Sequence, residues 1–359
     1  MAEQPRIYFR PDNGDAGYIG GLTSPISFDG GVVAARYLAA YPSGMPDRGR
    51  SALADALDAQ HLPFLIDPGT PELRRPSVVR AKRRLLESPI AQALPLPLKL
   101  SDLSRPPALR HFVEVVLSTQ TRARGLVPPH LELRWRDEGA LALNIAMLKR
   151  ATRSAGGKRV VSLIQCTKAA FRDGVFERVA PQYGRVGHGR AILRVRSLTN
   201  EAVNTSDFER YLAAIEAFES AGVKVMIDCT GRLGPALVAG GARGFVSGWL
   251  HFRKVAHNPL SAGGGGSEEG RFEVPGEFRD VAASAAVRYA GLCSSPSCDA
   301  HSRPTPAALR THFFHVLRHE ADLAADLGPA RYGTRLIKAG DPYAGAWGRV
   351  LVARAARAA

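Results

Sequence analysis

Residues 221–249 constrain the fold most, because they read as a strand, a short helix and a second strand in succession. The largely apolar run Val223–Ile227 stops abruptly at Asp228, Leu233–Val238 is compatible with a helix, and Gly244–Gly248 reads as a second short strand. In such a β-α-β unit the two strands run parallel, and ligands collect at their carboxyl ends. The stretch therefore predicts a parallel sheet with Asp228 at its carboxyl edge. The alternative is that Asp228 only caps the helix that follows.

The same alternation of strands and helices runs through most of the chain. Predicted strands centre near residues 7, 64, 125, 160, 192, 224, 245 and 289. Eight strands alternating with helices predict an α/β fold of the (β/α)8 type, similar to a TIM barrel, with an active site at the carboxyl ends of the strands. A doubly wound open sheet is the main alternative. The sequence has no G-x-G-x-x-G after its first strand and no P-loop motif, which argues against dinucleotide and P-loop sites.

We expect a single barrel domain with an N-terminal loop extension and a C-terminal helix. Its predicted parts are the extension and first elements at 1–60, the barrel core at 61–292, a candidate zinc loop and helix at 293–330, and a tail at 331–359. The Gly-rich stretch Ser261–Gly270 is expected to be a flexible insertion. The chain has no apolar run of about 18 residues and no signal-peptide pattern at its start, so we expect a cytoplasmic protein without a membrane partner.

The charge balance favours polyanionic partners. Lys and Arg total 48 against 33 Asp and Glu, a formal net charge of +15. A surplus of this size points to nucleic acid as a partner. Arginine outnumbers lysine and alanine and glycine are abundant, so a compositional bias of the coding sequence is the alternative explanation.

Two carboxylates, Asp67 and Asp228, each follow a short apolar strand and precede a turn. We predict that they face one cavity at the carboxyl edge, where they divide the roles of nucleophile and general acid/base. The candidate substrate-binding residues are Gln165, Arg196, Arg243, Ser247 and Gly248. Taken singly, each of these residues is also explained by a helix cap or a salt bridge at the edge of the sheet.

A basic segment, residues 74–84, follows the strand that ends at Asp67. It holds six cations and no acidic residue, and these candidate nucleic-acid contacts are Arg74, Arg75, Arg80, Lys82, Arg83 and Arg84. The charges suit the phosphate backbone of a nucleic acid. A solvated helix face is the simpler interpretation.

Cysteine and histidine cluster after the last predicted strand. Cys293, Cys298 and His301 lie in a turn-rich loop, and the next helix carries His312, His315 and His319 on one strip. Two thiolates and two imidazoles would form a closed, structural zinc site. We predict Cys293, Cys298, His301 and His315 as its ligands; the alternative is a pair of reduced cysteines beside a solvated histidine strip.

A barrel with two edge aspartates, a basic surface and this Cys/His cluster resembles the tRNA-guanine transglycosylase superfamily, including its relatives that insert deazaguanine bases into DNA. The resemblance implies an aspartate nucleophile that attacks C1′ of a guanosine, matched here by Asp228, and an acid/base aspartate, matched by Asp67. It also implies a structural zinc. The chain departs from that family in having two close cysteines instead of three.

Three functions remain open from the sequence. The first is an enzyme that acts on a nucleic acid or nucleotide by base exchange or glycosidic-bond chemistry, a pentosyl transfer. The second is a barrel enzyme for a small phosphorylated substrate. The third is a non-catalytic barrel that binds nucleic acid or assembles into a complex, with its edge acids acting only as caps.

Overall fold

The computed structural model describes most of the chain. The described residues are 4–11, 15–23, 26–35, 50–76, 79, 95–186, 189–196, 198, 203–228, 230–248, 271–293 and 298–358. Of the predicted features, the insertion Ser261–Gly270 and the basic residues Arg80, Lys82, Arg83 and Arg84 lie outside these ranges.

Seven parallel strands form the main sheet. In chain order they are β1 (Arg6–Phe9), β2 (Gly30–Ala34), β3 (Phe64–Asp67), β6 (Ser162–Thr167), β7 (Arg190–Arg196), β8 (Lys224–Asp228) and β9 (Gly244–Ser247). Their order across the sheet is β3-β2-β1-β9-β8-β7-β6, and every neighbouring pair is parallel. The sheet curls into a half-barrel, so the α/β class and the barrel-like arrangement of the prediction are confirmed.

Short hydrogen-bonded segments lie between the two edges of this sheet. The pair β4 (Gly125–Leu126) and β5 (Arg159–Val160) is parallel, and Arg124 N donates to Phe64 O of β3 at 2.9 Å. Leu133 forms a parallel bridge with Cys166 of β6. The segment from residue 124 to 133 therefore contacts both β3 and β6.

Helices cover the outside of the sheet. They are Ala16–Gly20, Arg50–Ala59, Leu100–Leu103, Pro106–Ser118, Glu138–Ser154, Lys168–Arg172, Val175–Gly184, Thr205–Ser220, Leu233–Ala239, Pro306–Lys338 and Pro342–Ala358, with 3₁₀ helices at Thr70–Arg74 and Ala283–Leu292. Gly328 has non-helical dihedral angles and kinks the long helix Pro306–Lys338 just before Pro329. Within the described part of the chain, no helix has the length and apolar character needed to cross a membrane.

Two sequence expectations about strands were wrong. The predicted last strand near residue 289 is the 3₁₀ helix Ala283–Leu292, and an antiparallel hairpin, β10 (Arg271–Val274) and β11 (Arg279–Ala282), precedes it. The expected N-terminal loop extension, residues 1–60, contains β2, for which no strand is predicted. Only glycine fits at the start of this strand, because a Cβ on Gly30 would lie 2.2 Å from Pro63 O. A glycine has no side chain to show the apolar pattern of a strand.

Residues on the inner face of the sheet form a small apolar layer of their own. Its members, mostly one from each strand or neighbouring segment, are Tyr8, Val32, Leu65, Val127, Val161, Leu163, Ile192, Met226 and Val246. The outward residues of the same strands join the larger core against the helices, as Ile7 and Ile227 do. Since side chains alternate along a strand, a residue two positions beyond each inner residue returns to the interior, one layer closer to the carboxyl ends. The layer formed by these residues, on the carboxyl side of the apolar layer, is the candidate site.

Candidate functional site at the carboxyl ends of the strands

Four charged side chains occupy the layer above the inner apolar residues. Arg10, Asp67, Arg194 and Asp228 each lie two positions beyond an inner residue, and each is 3% exposed or less. They come from β3, β7 and β8 and from the residue after β1. Strand alternation therefore brings together four charges that lie far apart in the sequence; we refer to them as the charged ring.

Each arginine of the charged ring contacts both carboxylates. Arg10 donates from Nε and Nη2 to the two oxygens of Asp228, at 3.1 and 2.5 Å, and from Nη1 to Asp67 at 3.2 Å. Arg194 donates from Nε to Asp228 at 2.7 Å and from Nη2 to Asp67 at 2.6 Å. Two cations and two anions neutralise one another, which offsets part of the large desolvation cost of burying them.

The charged ring sets the protonation state of Asp228. Burial alone would raise the pKa of Asp228, but the positive charges of Arg10 and Arg194 and the hydrogen bonds that they donate outweigh burial and lower it. Asp228 is therefore ionised at neutral pH, which is the form required of a nucleophile or of a stabiliser of positive charge.

A second charged group lies beside the ring and is linked to it through Gln165. Arg194 Nη1 donates to Gln165 Oε1 at 3.2 Å, and Gln165 Nε2 donates to Glu132 Oε1 at 3.0 Å. Glu132 also accepts from Arg75 Nη2 at 3.1 Å and from Arg196 Nε. Arg75 and Arg196 are 22% and 32% exposed, so this group connects the buried ring to the surface.

His130 is fixed at the same end of the molecule. Its backbone N donates to Thr70 Oγ1 at 2.8 Å, and the Thr70 hydroxyl donates back to His130 O. Burial lowers the pKa of His130 to about 4, so its imidazole is neutral at pH 7. Its Nε2 is buried and has no hydrogen-bond partner within the part of the chain that the structure describes. Buried imidazole nitrogens without a partner are uncommon in folded proteins.

Only some of the predicted substrate-binding residues lie at the candidate site. Gln165 and Arg196 belong to the network just described, and Gly248 is buried immediately beyond β9. Ser247 follows Val246, an inner residue, so it lies on the outward face of its strand, and its hydroxyl donates to Gly248 O. Arg243 precedes β9 and so lies at the amino end of the sheet, opposite to Asp228.

The predicted basic contacts are only partly described. Arg74 ends the 3₁₀ helix that follows β3, and Arg75 contacts Glu132. Sequence reasoning missed Arg10, Arg194, His130 and Glu132. For Arg194 a signal was present, since a charge within the apolar run of a buried strand needs a buried partner.

A separate cluster contains the two predicted cysteines and one imidazole. The ligand atoms of Cys293, Cys298 and His312 lie within 4.8 Å of one another, and this group could hold a metal ion. His312 Nδ1 is 3.2 Å from Cys298 Sγ and 3.6 Å from Cys293 Sγ. Its Nε2 donates to Glu273 O at 2.7 Å, and its ring stacks on Phe272 at 4.2 Å between centroids. The hydrogen bond to this carbonyl places the imidazole proton on Nε2. Nδ1, which faces the two sulfurs, is then unprotonated.

The predicted metal ligands His301 and His315 are not part of this cluster of atoms in the described chain. His315 lies one helical turn beyond His312 and is half-buried, and burial lowers its pKa. His315 Nε2 and His301 Nδ1 are buried without a hydrogen-bond partner within the described ranges. The imidazole that lies with the two cysteines is His312, whereas the sequence favours His315 among the three histidines of this helix.

Comparison of the sequence with protein-family descriptions and with curated proteins finds no match. The geometry of these two sites is therefore the basis for inferring a function.

Proposed function

We propose that the protein is an enzyme that acts on a nucleic acid or nucleotide at the carboxyl end of a (β/α)8-type barrel, in which the segment 124–133 takes the place of the eighth strand. The observation that carries this proposal is the charged ring, because four ionised side chains from separate strands are buried in one layer. Apolar residues of similar size are often at least as stabilising as a buried ionic group, so an ionic layer at this end of such a fold supports a functional role.

The reaction that we propose is base exchange at a glycosidic bond. The ionised carboxylate of Asp228 attacks C1′ of the nucleoside, and the base departs with the electron pair of the broken bond and a proton from Asp67, which takes up that proton from solvent when the substrate draws the arginines away. The incoming base then attacks C1′, gives a proton to Asp67 and releases the carboxylate of Asp228. The phosphates of the substrate compete with Asp228 for Arg10 and Arg194, which frees the carboxylate for attack. Arg75 and Arg196, at the exposed side of the network, supply further cations to the backbone of the substrate.

The test is the incorporation of labelled guanine into tRNA and into DNA by the purified protein. We expect wild type to incorporate label and Asp228→Asn to bind nucleic acid without incorporating it. Asp207→Asn is the matched control, because Asp207 is also buried and paired with an arginine, Arg172, but lies on an outer helix. Incorporation by Asp228→Asn at the wild-type rate would refute the proposed role of this carboxylate.

A second function, nucleic-acid binding without turnover, is favoured by one observation. Both carboxylates of the ring already accept hydrogen bonds from two arginines, an arrangement that also suits a purely structural ion network. Binding that weakens steeply with salt, together with no incorporation of base, supports this second function. If the protein neither binds nucleic acid nor incorporates base, a small phosphorylated substrate is the remaining possibility for the ring.

For the cluster of Cys293, Cys298 and His312 we propose a structural zinc site. In a tetrahedral site a zinc-bound sulfur and a zinc-bound nitrogen lie about 3.6 Å apart, given Zn–S and Zn–N bonds of about 2.3 and 2.1 Å. The two Nδ1–Sγ distances, 3.2 and 3.6 Å, fit this geometry. We propose His315 as the fourth ligand because it lies one turn along the same helix. The zinc would join Cys293 and Cys298, which follow the 3₁₀ helix Ala283–Leu292, to the helix Pro306–Lys338.

A further inference from the structure

An exposed tryptophan lies at the same end of the barrel as the charged ring. Trp135 is 45% exposed, and among the large apolar side chains of the described chain only Trp135 and Tyr343 are both aromatic and exposed to this degree. Exposed aromatic rings are the side chains on which unpaired nucleobases stack, and every base has a face suited to such stacking.

The backbone fixes the position of Trp135. Leu133, two residues earlier, is bridged to Cys166 of β6, and the helix Glu138–Ser154 begins three residues later. The turn between them is tight: Arg136 has a positive φ of 53°, and Asp137 caps the helix by accepting from Ala140 N at 3.0 Å. A connection from strand to helix lies at the carboxyl end of the sheet, so Trp135 stands at the edge of the candidate site.

Arginines surround the tryptophan ring. The Cζ atoms of Arg136 and Arg178 lie 5.5 and 5.7 Å from its centroid, within the range of cation–π contacts. Arg134, on the other side of Trp135 in the chain, is exposed. Arg178 also pairs with the carboxylate of Glu138, so Arg136 is the arginine that a base replaces over the ring. Cation–π contacts at exposed sites are weak, and the displaced guanidinium of Arg136 moves to a phosphate.

We propose that Trp135, with Arg134, Arg136 and Arg178, is a stacking surface for an unpaired nucleobase of a single-stranded nucleic acid. This inference deepens the proposed function and rests on it, because it names the contact that would hold the strand beside the charged ring. An aromatic ring surrounded by cations fits a strand that presents bases and phosphates in alternation. The formal net charge of +15 supports the same partner.

The experiment measures binding of fluorescein-labelled oligothymidine, and of a duplex of the same length, by fluorescence anisotropy. The full-length variants are Trp135→Ala, Trp135→Phe and the control Tyr343→Ala, which removes an equally exposed aromatic ring from the helix Pro342–Ala358. We expect Trp135→Ala to bind the single strand about tenfold more weakly than wild type. Trp135→Phe should restore most of the affinity, Tyr343→Ala should match wild type, and duplex binding should change less.

The outcomes separate this inference from the proposed function. If wild type binds the single strand and Trp135→Ala binds it equally well, the stacking surface is refuted while nucleic-acid binding stands. If wild type binds neither oligonucleotide, the nucleic-acid partner is refuted and the stacking surface with it. Binding of poly-glutamate, but of no oligonucleotide, in a manner that depends on Trp135 would assign the surface to an acidic protein partner and would also overturn the inference.

Discussion

Arg10 donates two hydrogen bonds to the carboxylate of Asp228, although the two residues lie 218 positions apart in the chain. Both side chains are almost completely buried. Arg194, on β7, also donates a hydrogen bond to the carboxylate of Asp228. This pair links the first strand of the chain to the strand that carries the candidate nucleophile, so it is important for both stability and the site.

Arg10→Met should lower the free energy of unfolding by about 3–5 kcal/mol, because it leaves the carboxylates with too few buried partners. The double variant Arg10→Met/Asp228→Asn should recover part of this loss, since the orphaned charge is then removed. Urea unfolding of the single and double variants measures both values. Arg122→Met, which breaks an exposed pair with Asp58, is the control and should cost about 1 kcal/mol or less.

His130 should make stability depend on pH. Its pKa is about 4 in the folded state against 6.5 ordinarily, so the unfolded chain binds more protons between these values. The free energy of unfolding should therefore be unaffected by this histidine above pH 6.5. It should fall by about 3 kcal/mol as the pH decreases from 6.5 toward 4. Urea unfolding between pH 7 and pH 4 measures the slope, which His130→Gln should reduce; an unchanged slope would show that other groups cause it.

Asp228 should contribute in the more acidic range. Its pKa lies below the ordinary value of 3.8, so its stabilising effect is present above that value and is lost as the pH falls through the folded pKa. Asp228→Asn should therefore flatten the loss of stability below pH 4, measured by thermal unfolding. Asp207→Asn serves for comparison, and an equal flattening in both variants would argue against a special role of the ring.

The purified, untagged protein should contain about one zinc per chain by elemental analysis. Cys293→Ser/Cys298→Ser and His312→Ala should lack it, and His315→Ala should weaken it, whereas His319→Ala, on an exposed part of the same helix, should retain it. A chelator should lower the melting temperature of wild type but not that of the double cysteine variant. Wild type without zinc, or full zinc in His312→Ala, would contradict the site.

Gly244 allows β1 and β9 to approach each other. A Cβ at this position would lie 1.9 Å from Arg6 O, so Gly244→Ala must push the two paired strands apart. We expect a loss of about 1–3 kcal/mol or more in the free energy of unfolding. Gly345→Ala is the control, because the added methyl meets only ordinary contacts within a helix and should be neutral or slightly stabilising.

Much of the fold could be predicted because the central strands are apolar and are separated by periodic helices. The strands at Ser162–Thr167, Arg190–Arg196 and Lys224–Asp228 lie where the sequence predicts strands. Strand β2 was missed because Gly30 and Gly31 carry no side chain, so the start of the strand has no apolar pattern. The stretch near residue 289 was taken for a strand, although its alanines have no strong preference for one.

The residues of the site could be predicted only where a reactive side chain stands at the end of a predicted strand. Asp67 and Asp228 were found in this way, but their arginine partners were not, because pairing across the sheet depends on the order of strands and on their register. Likewise, the choice of His312 among three histidines depends on the carbonyl of Glu273, which a sequence pattern does not reveal.

The position of β1 between β2 and β9 has a consequence for synthesis of the protein on the ribosome. Residues 6–9 pair with residues 244–247, so the first strand emerges long before one of its two neighbours exists. At about 5–20 residues per second, the wait is on the order of 10–50 s. During this time one edge of β1 lacks its neighbour β9 and Arg10 lacks Asp228, and pairing between such distant segments is slow. Until residues 244–247 emerge, the nascent chain therefore presents an unpaired strand edge to which another chain could pair.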